Sequence, residues 1–375
     1  MEVNTNPRNA NPQNVYPQLE INLKKLESNV KEIVKRCGAK GIKVAGVIKG
    51  VSGNLDCAKV FASSGCAFLA SSRTEQLEAV KEAGIDAPLM MIRVPMKSEA
   101  SEIVRLSDIS LNSETEVLKA LDSEAGKQGK LHEVILMADL GDLREGFWGK
   151  DELVGAALTV ENELKNLKLA GVGTNLGCYG SISATVDKMD ELIGFAEAIE
   201  EEIGRKLDYI SGGATTSLPR IIEDNMPARI NHLRIGEGII LGRDLQELWG
   251  YDMSYLHTDV FTLKAEVIEV RDKPSYPVGE IMFDAFGNKP VYEDRGTRKK
   301  ALLGIGKADY AFPDKIFPRG KGIEVIGASS DHTILDIGDA ERSIKVGDVV
   351  EFDVCYASIV YASNSPNVKI LTVCD

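Results

Sequence analysis

Between about residues 20 and 250, short apolar runs alternate with amphipathic segments eight times, and this alternation limits the possible folds more than any other feature. The apolar runs are rich in Val, Ile and Leu, as buried strands are. The segments between them have apolar residues at i, i+3 and i+4 and cap-like Ser, Thr or Asp at their starts, as helices do. The predicted strands cover residues 43–49, 67–72, 88–94, 108–113, 133–141, 169–175, 208–213 and 232–238.

Eight strand–helix units predict an α/β fold, a parallel (β/α)8 TIM barrel. An open doubly wound sheet is the alternative if one strand is miscounted. After residue 255 the pattern changes to β-strands separated by Gly and Asp turns, which predicts a separate β-domain. We therefore expect a flexible polar tail over residues 1–16, a barrel over residues 17–252 and a C-terminal β-domain over residues 253–375.

Composition excludes several classes of protein. The net charge of −13 argues against a nucleic-acid-binding protein. No apolar run reaches membrane-spanning length, and the polar, Asn- and Pro-rich start does not resemble a secretory signal. The six cysteines and four histidines lack the spacing of metal ligands, so free thiols and no metal site are expected. The sequence thus predicts a cytoplasmic protein without a nucleic-acid or membrane partner.

Polar side chains follow most of the eight predicted strands. In a (β/α)8 barrel the carboxyl ends of the strands meet at one mouth, where active sites lie. Any one of these residues alone fits an ordinary loop, but together they predict a polar site at the mouth. The residues are Lys49, Ser71, Ser72, Arg73, Arg93, Asn112, Ser113, Asp139, Arg144, Thr174, Asn175 and Arg234.

Two glycine-containing turns after the last two strands suit a phosphate group. "SGGATTS" (211–217) combines a glycine pair with hydroxyls, and "RIGEG" (234–238) is a second such turn. Glycine permits close backbone approach, and exposed N–H groups and hydroxyls bind phosphate oxygens. A lysine across the mouth, Lys49, would then fit a Schiff base to a phosphorylated aldehyde, since desolvation makes its amine nucleophilic. The alternative is a plain strand-to-helix turn and a lysine that extends into solvent.

Several motifs together resemble the pyridoxal-phosphate-dependent amino-acid racemases of fold type III, the alanine racemase-like superfamily. Within it they resemble the ornithine racemase branch, and the resemblance covers the chain from about residue 16. The motifs are "VAGVIKG", "DLGDLREG", "GVGTNLGCYG", "SGGATTSL", "NHLRIGE", "DAFGNKP", "GASSDH" and "VGDVVEFDVCYASI". The resemblance implies a barrel with a C-terminal β-domain and a homodimer in which each site is completed by the partner's β-domain.

The resemblance also implies how pyridoxal 5'-phosphate would be held. Lys49 would form the internal aldimine and act as one of two acid/base groups at Cα. Arg234 would face the pyridine nitrogen, and since a guanidinium keeps its proton it would weaken the ring as an electron sink. Asn175 would lie where alanine racemases place a histidine against the ring. The phosphate would be bound by Gly213, Thr215, Thr216, Gly236 and Tyr356.

The second base departs from the alanine racemase pattern. Where that family has a catalytic tyrosine in a "GYADG"-like stretch, this chain reads "GIGKADY" and places Lys307 there. Two-base racemisation needs a group facing Lys49 from the other side of Cα. Lys307 is the first candidate, and Asp331, Cys178 and Tyr179 are further candidates. Gly53 and Met137 also replace a tyrosine and a lysine of the family pattern, which argues against alanine as substrate.

The remaining implied roles concern the substrate. Arg144 would pair with its carboxylate, for which a planar guanidinium is suited. A basic side chain such as that of ornithine needs a carboxylate partner, for which Glu280, Asp284 and Asp309 are candidates. Ser330 of "GASSDH" is a further predicted substrate-binding residue.

The sequence therefore predicts racemisation of ornithine or another basic amino acid. The alternatives are a racemase of alanine, serine or lysine, a related decarboxylase or aldolase, a cofactor-free lysine aldolase, and a catalytically silent barrel that binds pyridoxal phosphate. The acidic-Pro-Gly-Arg motif of the decarboxylases and the C-terminal His/Cys pair of the metal-dependent aldolases are not found in the sequence.

Overall fold

The computed structural model describes residues 15–374, so most of the predicted tail lies outside the described residues. The chain forms two compact units. The barrel unit comprises residues 23–258, and the β unit comprises residues 259–375 together with the chain up to Asn22. The first strand, β1 (Gln18–Asn22), thus lies in the β unit, whereas the expected boundaries fell at residues 17 and 253.

The barrel unit contains a closed parallel barrel, which confirms the predicted fold. Eight of its nine strands pair side by side. The ring closes because the strand of residues 232–235 pairs with that of residues 43–47, and the strand of residues 109–112 pairs with that of residues 132–139. The short strand of residues 147–148 pairs with that of residues 132–139 alone. The strands are β2 (Lys43–Val47), β3 (Phe68–Ser71), β4 (Leu89–Met91), β5 (Ile109–Asn112), β6 (His132–Asp139), β7 (Phe147–Trp148), β8 (Leu167–Thr174), β9 (Tyr209–Ser211) and β10 (His232–Ile235).

Helices connect these strands and cover the barrel. Their apolar faces are buried; in the first helix the buried residues follow helical spacing from Leu26 to Cys37. The helices of this unit are α1 (Leu23–Gly38), α2 (Leu55–Ser63), α3 (Thr74–Glu82), α4 (Ala100–Leu106), α5 (Thr115–Gln128), α6 (Lys150–Glu163), α7 (Val186–Ile203), α8 (Leu218–Ile222), α9 (Glu237–Ile240) and α10 (Arg243–Glu247).

Apolar side chains fill the barrel interior. Ala45 and Val47 of β2 belong to this core with residues from most of the other strands. At the amino ends of the strands, Phe68, Tyr209 and His232 pack edge to face with ring centroids 5.5 to 5.8 Å apart. Aromatic packing of this kind closes this end of the barrel.

The β unit is built on an eight-stranded, mostly antiparallel sheet. β1 pairs with the first and last strands of residues 259–375, a long-range pairing that local alternation cannot reveal. Along the strand of residues 349–354 every second residue is buried, as a sheet with one packed face requires. Its further elements are β11 (Phe261–Pro274), β12 (Thr297–Leu303), α11 (Lys307–Tyr310), β13 (Ile316–Pro318), β14 (Glu324–Ala328), β15 (Thr333–Asp336), β16 (Val349–Val354), α12 (Tyr356–Asn364) and β17 (Lys369–Val373).

Candidate active site

Lys49 lies in a short 3-10 turn directly after β2, at the mouth of the barrel. The strand ends at Val47, two residues earlier than predicted, and the turn covers Lys49–Val51. The following Ser52 has a left-handed backbone with φ +50°, a strained conformation of the kind that collects at functional sites. Burial, and then the positive charge of Arg144, lowers the pKa of the Lys49 amine. A lowered pKa leaves more of this amine neutral and nucleophilic at physiological pH.

The loop after β6 folds back on its own strand and presents Arg144. Asp139 Oδ1 accepts the backbone N–H groups of Gly141 and Leu143, at 2.9 and 3.1 Å. A β-carbon at Gly146 would lie 2.2 Å from the backbone nitrogen of Asp139, so only glycine fits there. The "DLGDLREG" stretch is thus a tight loop whose shape depends on its first and last residues.

Glu145 is a site residue that the sequence analysis did not assign. Its carboxylate forms a two-pronged ion pair with the guanidinium of Arg144, and its side chain is 14% exposed. Burial raises the pKa of Glu145, and the charges of Arg144, Arg234 and Lys49 oppose that rise. Four charged groups therefore share the mouth. Its position in the sequence, directly after the expected substrate-binding Arg144, could have indicated that Glu145 belongs to the site.

Arg234 is fully enclosed within the barrel and is held by two acceptors. Its Nη2 donates to the carbonyl oxygen of Thr174 at 2.7 Å, and its Nη1 donates to Ser211 Oγ at 2.5 Å. Burial lowers the pKa of Arg234 to about 10. Although it is lowered, this pKa leaves the Arg234 guanidinium charged at neutral pH, so the group remains a hydrogen-bond donor.

Ser211 and His232 continue this hydrogen-bonded row below Arg234. Because arginine only donates, Ser211 Oγ accepts from Arg234 and directs its own hydrogen to His232 Nδ1, 2.7 Å away. Burial lowers the pKa of His232 to about 3, so the ring is neutral and carries its proton on Nε2. The sequence analysis gave neither residue a role, although Ser211 begins "SGGATTS" and His232 lies in "NHLRIGE".

The two predicted phosphate turns contact each other. The Gly238 N–H donates to Thr215 Oγ1 at 3.0 Å, which joins the turn after β9 to the turn after β10. Thr216 Oγ1 donates to the carbonyl of Leu176 at 2.7 Å, on the loop after β8. Gly213 has φ +110°, and a β-carbon there would lie 2.7 Å from Ser217 Oγ. The backbone is therefore packed closely at a place that only glycine allows.

These residues fit pyridoxal 5'-phosphate. A nucleophilic amine, a buried guanidinium and a cradle of glycine backbone with threonine hydroxyls match its aldehyde, its ring nitrogen and its phosphate, in that order. Gly236 lies at the start of the second turn, and Asn175 is half-buried directly after β8. The structure thus brings together in the barrel unit the predicted residues Lys49, Arg144, Asn175, Gly213, Thr215, Thr216, Arg234 and Gly236.

The other predicted site residues lie in the β unit, where Lys307 begins α11. Its backbone N–H donates to the carbonyl of Ser329 at 2.8 Å, so the helix start abuts the "GASSDH" turn. Its ammonium lies 3.8 Å from Asp284 Oδ2 and 4.1 Å from the ring centroid of Phe286. An aromatic face and a carboxylate both stabilise an ammonium.

The remaining predicted residues of the β unit differ in their surroundings. Asp331 and Ser330 are exposed, and the Ser330 hydroxyl donates to Asp331 Oδ2 at 2.5 Å. Glu280 is exposed, and Tyr356 is half-buried at the start of α12. Asp309, in contrast, is buried and accepts from Gly306, Ser365 and Asn367. All of its acceptors serve the fold, which argues against the suggested role in binding a substrate ammonium.

Comparison with known proteins decides the family. The model for "Alanine racemase, N-terminal domain" matches residues 21–244, more than half of the chain. The chain belongs to the alanine racemase family. It is accordingly an amino-acid racemase with pyridoxal phosphate as its cofactor, and the predicted resemblance is confirmed.

Three curated relatives resemble this racemase over most of its length. The ornithine racemase of Acetoanaerobium sticklandii is 38% identical over 355 residues, which cover 95% of this chain and 99% of the relative. The lysine racemase of Thermotoga maritima is also 38% identical over 355 residues, with coverage of 95% and 98%. The alanine racemase of Methanococcus maripaludis is 25% identical over 343 residues, which cover 88% of this chain and 87% of the relative.

A solved structure also has the same fold. The alanine racemase from D-cycloserine-producing Streptomyces lavendulae aligns with a TM-score of 0.73 at 18% identity, covering 96% of this chain and 98% of that one. At that identity the likeness concerns the fold alone.

Among residues 15–374, no helix combines the length and apolar character needed to cross a membrane.

Proposed function

We propose that this racemase interconverts the L and D forms of ornithine or a similar basic amino acid. The observation that carries the proposal is that the two relatives with 38% identity, over 95% of the chain, are named for ornithine and lysine. The lysine and tyrosine of the alanine racemase pattern are replaced by Met137 and Gly53, which further disfavours alanine.

Lys49 is the proposed attachment point of the cofactor and the first of two acid/base groups. When bound, pyridoxal phosphate supplies an electron-withdrawing ring that makes the Cα–H bond of an attached amino acid acidic. The desolvated Lys49 amine takes the Cα proton from one face or returns it there. Arg234 would donate a hydrogen bond to the ring nitrogen and keep its proton while doing so. The glycine and threonine turns, with Tyr356, would hold the phosphate.

Arg144 is the proposed partner of the substrate carboxylate. In the described structure its guanidinium is paired with Glu145. A guanidinium has five N–H donors, so pairing with Glu145 leaves donors for a second carboxylate. Glu145 therefore both orients Arg144 and offsets part of the positive charge around Lys49.

Lys307 is the proposed acid/base group for the opposite face of Cα, with Asp331 as the second candidate. A charged Lys307, beside Asp284 and Phe286, has a proton to deliver; after delivery its neutral amine accepts one in the reverse direction. Asp284 and Glu280 are the proposed carboxylates for the distal ammonium of the substrate, and Ser330 is a further contact. We further propose a cytoplasmic homodimer in which the β unit of each copy completes the site of its partner.

Proton exchange in heavy water tests the reaction. Purified enzyme with added pyridoxal phosphate is given L-ornithine, L-lysine, L-alanine or L-serine, and Cα–H loss is followed by NMR beside chiral analysis of the product. We expect exchange with inversion, fastest for ornithine or lysine. The Lys49→Ala variant should lose both visible cofactor absorption and turnover. Normal racemisation by that variant would contradict the proposed role of Lys49.

Enantiomer-specific exchange tests the second base. If Lys307 serves one face of Cα, Lys307→Ala should stop Cα–H exchange for one enantiomer of ornithine and retain it for the other. The Asp331→Asn variant applies the same test to Asp331, the second candidate for this base. Equal loss for both enantiomers, or full racemisation by Lys307→Ala, would remove Lys307 from this role.

KM values separate the proposed substrate contacts. Arg144→Ala should raise KM for every amino acid by about 10- to 100-fold, the loss of a charge-assisted hydrogen bond. Asp284→Asn and Glu280→Gln should raise KM for ornithine and leave KM for alanine unchanged. A uniform effect on both substrates would exclude these two carboxylates from recognition of the distal ammonium.

A further inference from the structure

Asp142 is a buried carboxylate that joins two loops of the barrel mouth. It lies in the loop after β6, and its side chain is directed at the loop after β8. Oδ1 accepts backbone N–H groups from Gly177, Cys178 and Ile182, at 3.1, 3.3 and 3.4 Å, and Oδ2 accepts from Tyr179 at 3.1 Å. With 1% of its surface exposed, Asp142 places both oxygens against the backbone of the neighbouring loop.

Packing between the same two loops is equally close. A β-carbon at Gly180 would lie 2.6 Å from the carbonyl oxygen of Asp142 and 2.9 Å from its Cα. Leu143 and Ser181, beside these contacts, have left-handed backbones with φ +56° and +55°. Non-glycine residues keep that conformation only where surrounding contacts impose it. The four hydrogen bonds and the glycine contact supply those constraints.

The two loops carry the residues around the Lys49 amine. The loop after β6 carries Arg144 and Glu145, and the loop after β8 carries Asn175 and Cys178. Arg144, Glu145 and Cys178 all interact electrostatically with Lys49. Contacts between the two loops therefore bear on the position of Arg144 relative to Lys49.

We propose that Asp142 is a positioning residue for racemisation: it fixes the loop after β8 to the loop that carries Arg144, and so aligns the substrate carboxylate with Lys49. The proposal rests on the proposed function, in which Arg144 binds that carboxylate. Aspartate is required because four N–H donors need a group that only accepts. An asparagine of the same size would direct its own N–H₂ at a backbone N–H.

The accessible thiol of Cys178 reports the state of this junction without any turnover. Cys178 is exposed, whereas Cys37, Cys57 and Cys66 are buried, and burial raises the pKa of each of these three thiols to about 12. Iodoacetamide labelling of the holoenzyme, followed by mass spectrometry of each cysteine peptide, thus measures loop release at Cys178. The exposed Cys374 serves as the internal rate standard, and protection of the three buried thiols verifies the fold.

The test compares Asp142→Asn and Gly180→Ala with Asp122→Asn. Asp122 also accepts a backbone N–H, from Asn166 at 2.7 Å, but before β8 rather than after it. We expect Asp142→Asn and Gly180→Ala to raise the Cys178 labelling rate, relative to Cys374, by more than about twofold. KM for ornithine should rise at least about tenfold, as expected when charge-assisted bonds are lost. Asp122→Asn should change neither value.

Two results would overturn the proposal. One is a folded Asp142→Asn or Gly180→Ala enzyme whose Cys178 labelling and KM stay within twofold of wild type. The other is faster labelling with unchanged kcat and KM, which would make the junction structural only. If the wild-type enzyme turns over no basic amino acid, the proposed function fails, while the labelling rates still decide whether Asp142 holds the loops.

Discussion

Three cationic side chains and one carboxylate share the barrel mouth, and their mutual charges set the state of each. Lys49 lies close enough to Arg144 and Arg234 for both guanidinium charges to lower its pKa, in addition to burial. Glu145 acts in the opposite direction on the same amine. An anion is needed there because three unopposed positive charges would repel one another in a partly desolvated site. The result is an amine that is readily deprotonated beside guanidinium groups that are not.

The pH dependence of Lys49 reactivity follows from this arrangement. In the cofactor-free protein, competitive acetylation of Lys49 should rise with pH to a midpoint below 10.5, since burial and the charge of Arg144 lower its pKa. Exposed lysines such as Lys35 provide the reference in the same digest. A Lys49 midpoint equal to or above that reference would contradict the inferred desolvation.

Removal of the Glu145 charge should move that midpoint further. In Glu145→Gln the carboxylate that raises the pKa of Lys49 is lost, so the acetylation midpoint should fall below that of wild type. Arg144 also loses its ion pair, and KM for ornithine should rise by a factor of about 3 to 10. Glu201→Gln, on the exposed face of α7, is the control. An unchanged midpoint would mean that Glu145 does not act on Lys49.

At the scale of elements, Glu237 joins α9 to α10 behind the phosphate turns. Its Oε1 accepts the N–H groups of Arg243 and Asp244 at 2.8 and 3.1 Å, and its Oε2 is buried without a hydrogen-bond partner in the described structure. Burial raises the pKa of Glu237 to about 7. The carboxyl group is thus neutral at acid pH and becomes a costly buried anion above pH 7.

The stability of the Glu237→Gln variant should therefore depend on pH relative to wild type. A raised folded-state pKa means that the stabilisation is fully present below the unfolded value of 4.5 and is lost as pH rises through about 7. Between about pH 4.5 and 7 the free energy of unfolding of the variant should gain on that of wild type by up to about 1.4 kcal/mol per pH unit, and the difference should level off above pH 7. Urea unfolding at pH 5.5 and 8.5 measures this. A difference in the free energy of unfolding between variant and wild type that stays constant with pH would contradict the raised pKa of Glu237.

Gly306 controls the contact between α11 and the turn of residues 329–332. A β-carbon there would lie 2.2 Å from the carbonyl oxygen of Ser330, so Gly306→Ala forces backbone to move. We expect a loss of about 1–3 kcal/mol in the free energy of unfolding, together with displacement of Lys307 and lower kcat. Gly327→Ala is the matched control, because its β-carbon would meet nothing within 4 Å. Thermal melting of both variants measures this loss of stability; a Gly306→Ala protein as stable as Gly327→Ala would contradict the prediction.

At the scale of the whole molecule, one segment of the β unit exposes an unusual amount of apolar surface. Between β11 and β12, Val278, Met282, Phe283 and Val291 are 63 to 96% exposed. The same segment carries Asp284, the neighbour of Lys307. Contiguous exposed apolar surface of this kind marks an interaction site, and a second copy of the chain is the occupant required by the proposed shared sites.

Dimer formation through this segment is testable by substitution. Met282→Asp should raise the dimer dissociation constant at least about tenfold, because an interfacial apolar side chain is replaced by a charge, and specific activity should fall on dilution. Val346→Asp places the same charge on another exposed apolar residue of the β unit and should change neither. Sedimentation velocity across protein concentrations gives the measurement; a Met282→Asp protein that stays dimeric would exclude this segment from the interface.

Much of this architecture is encoded locally. All eight barrel strands were predictable because each is a short, largely apolar segment between helix-like segments, and the motifs placed Lys49, Arg234 and the glycine turns at the mouth. The pairing of β1 with β11 and β17 was not predictable, since its partners lie more than 200 residues away. The sequence of a strand shows which of its faces is apolar, but not which other strands it pairs with.

The sequence by itself predicted the fold class through its periodicity, and its short motifs implied the cofactor chemistry through their resemblance to the alanine racemase family, because both are properties of neighbouring residues. Only the tertiary structure decided which charges act on one another. Folding brings Glu145 close to the charges of Lys49 and Arg234. It also forms the Arg234–Ser211–His232 row and the hydrogen bonds from the loop after β8 to Asp142, which connect residues far apart in the chain. Burial, which sets their pKa values and hydrogen bonds, exists only once the barrel has closed.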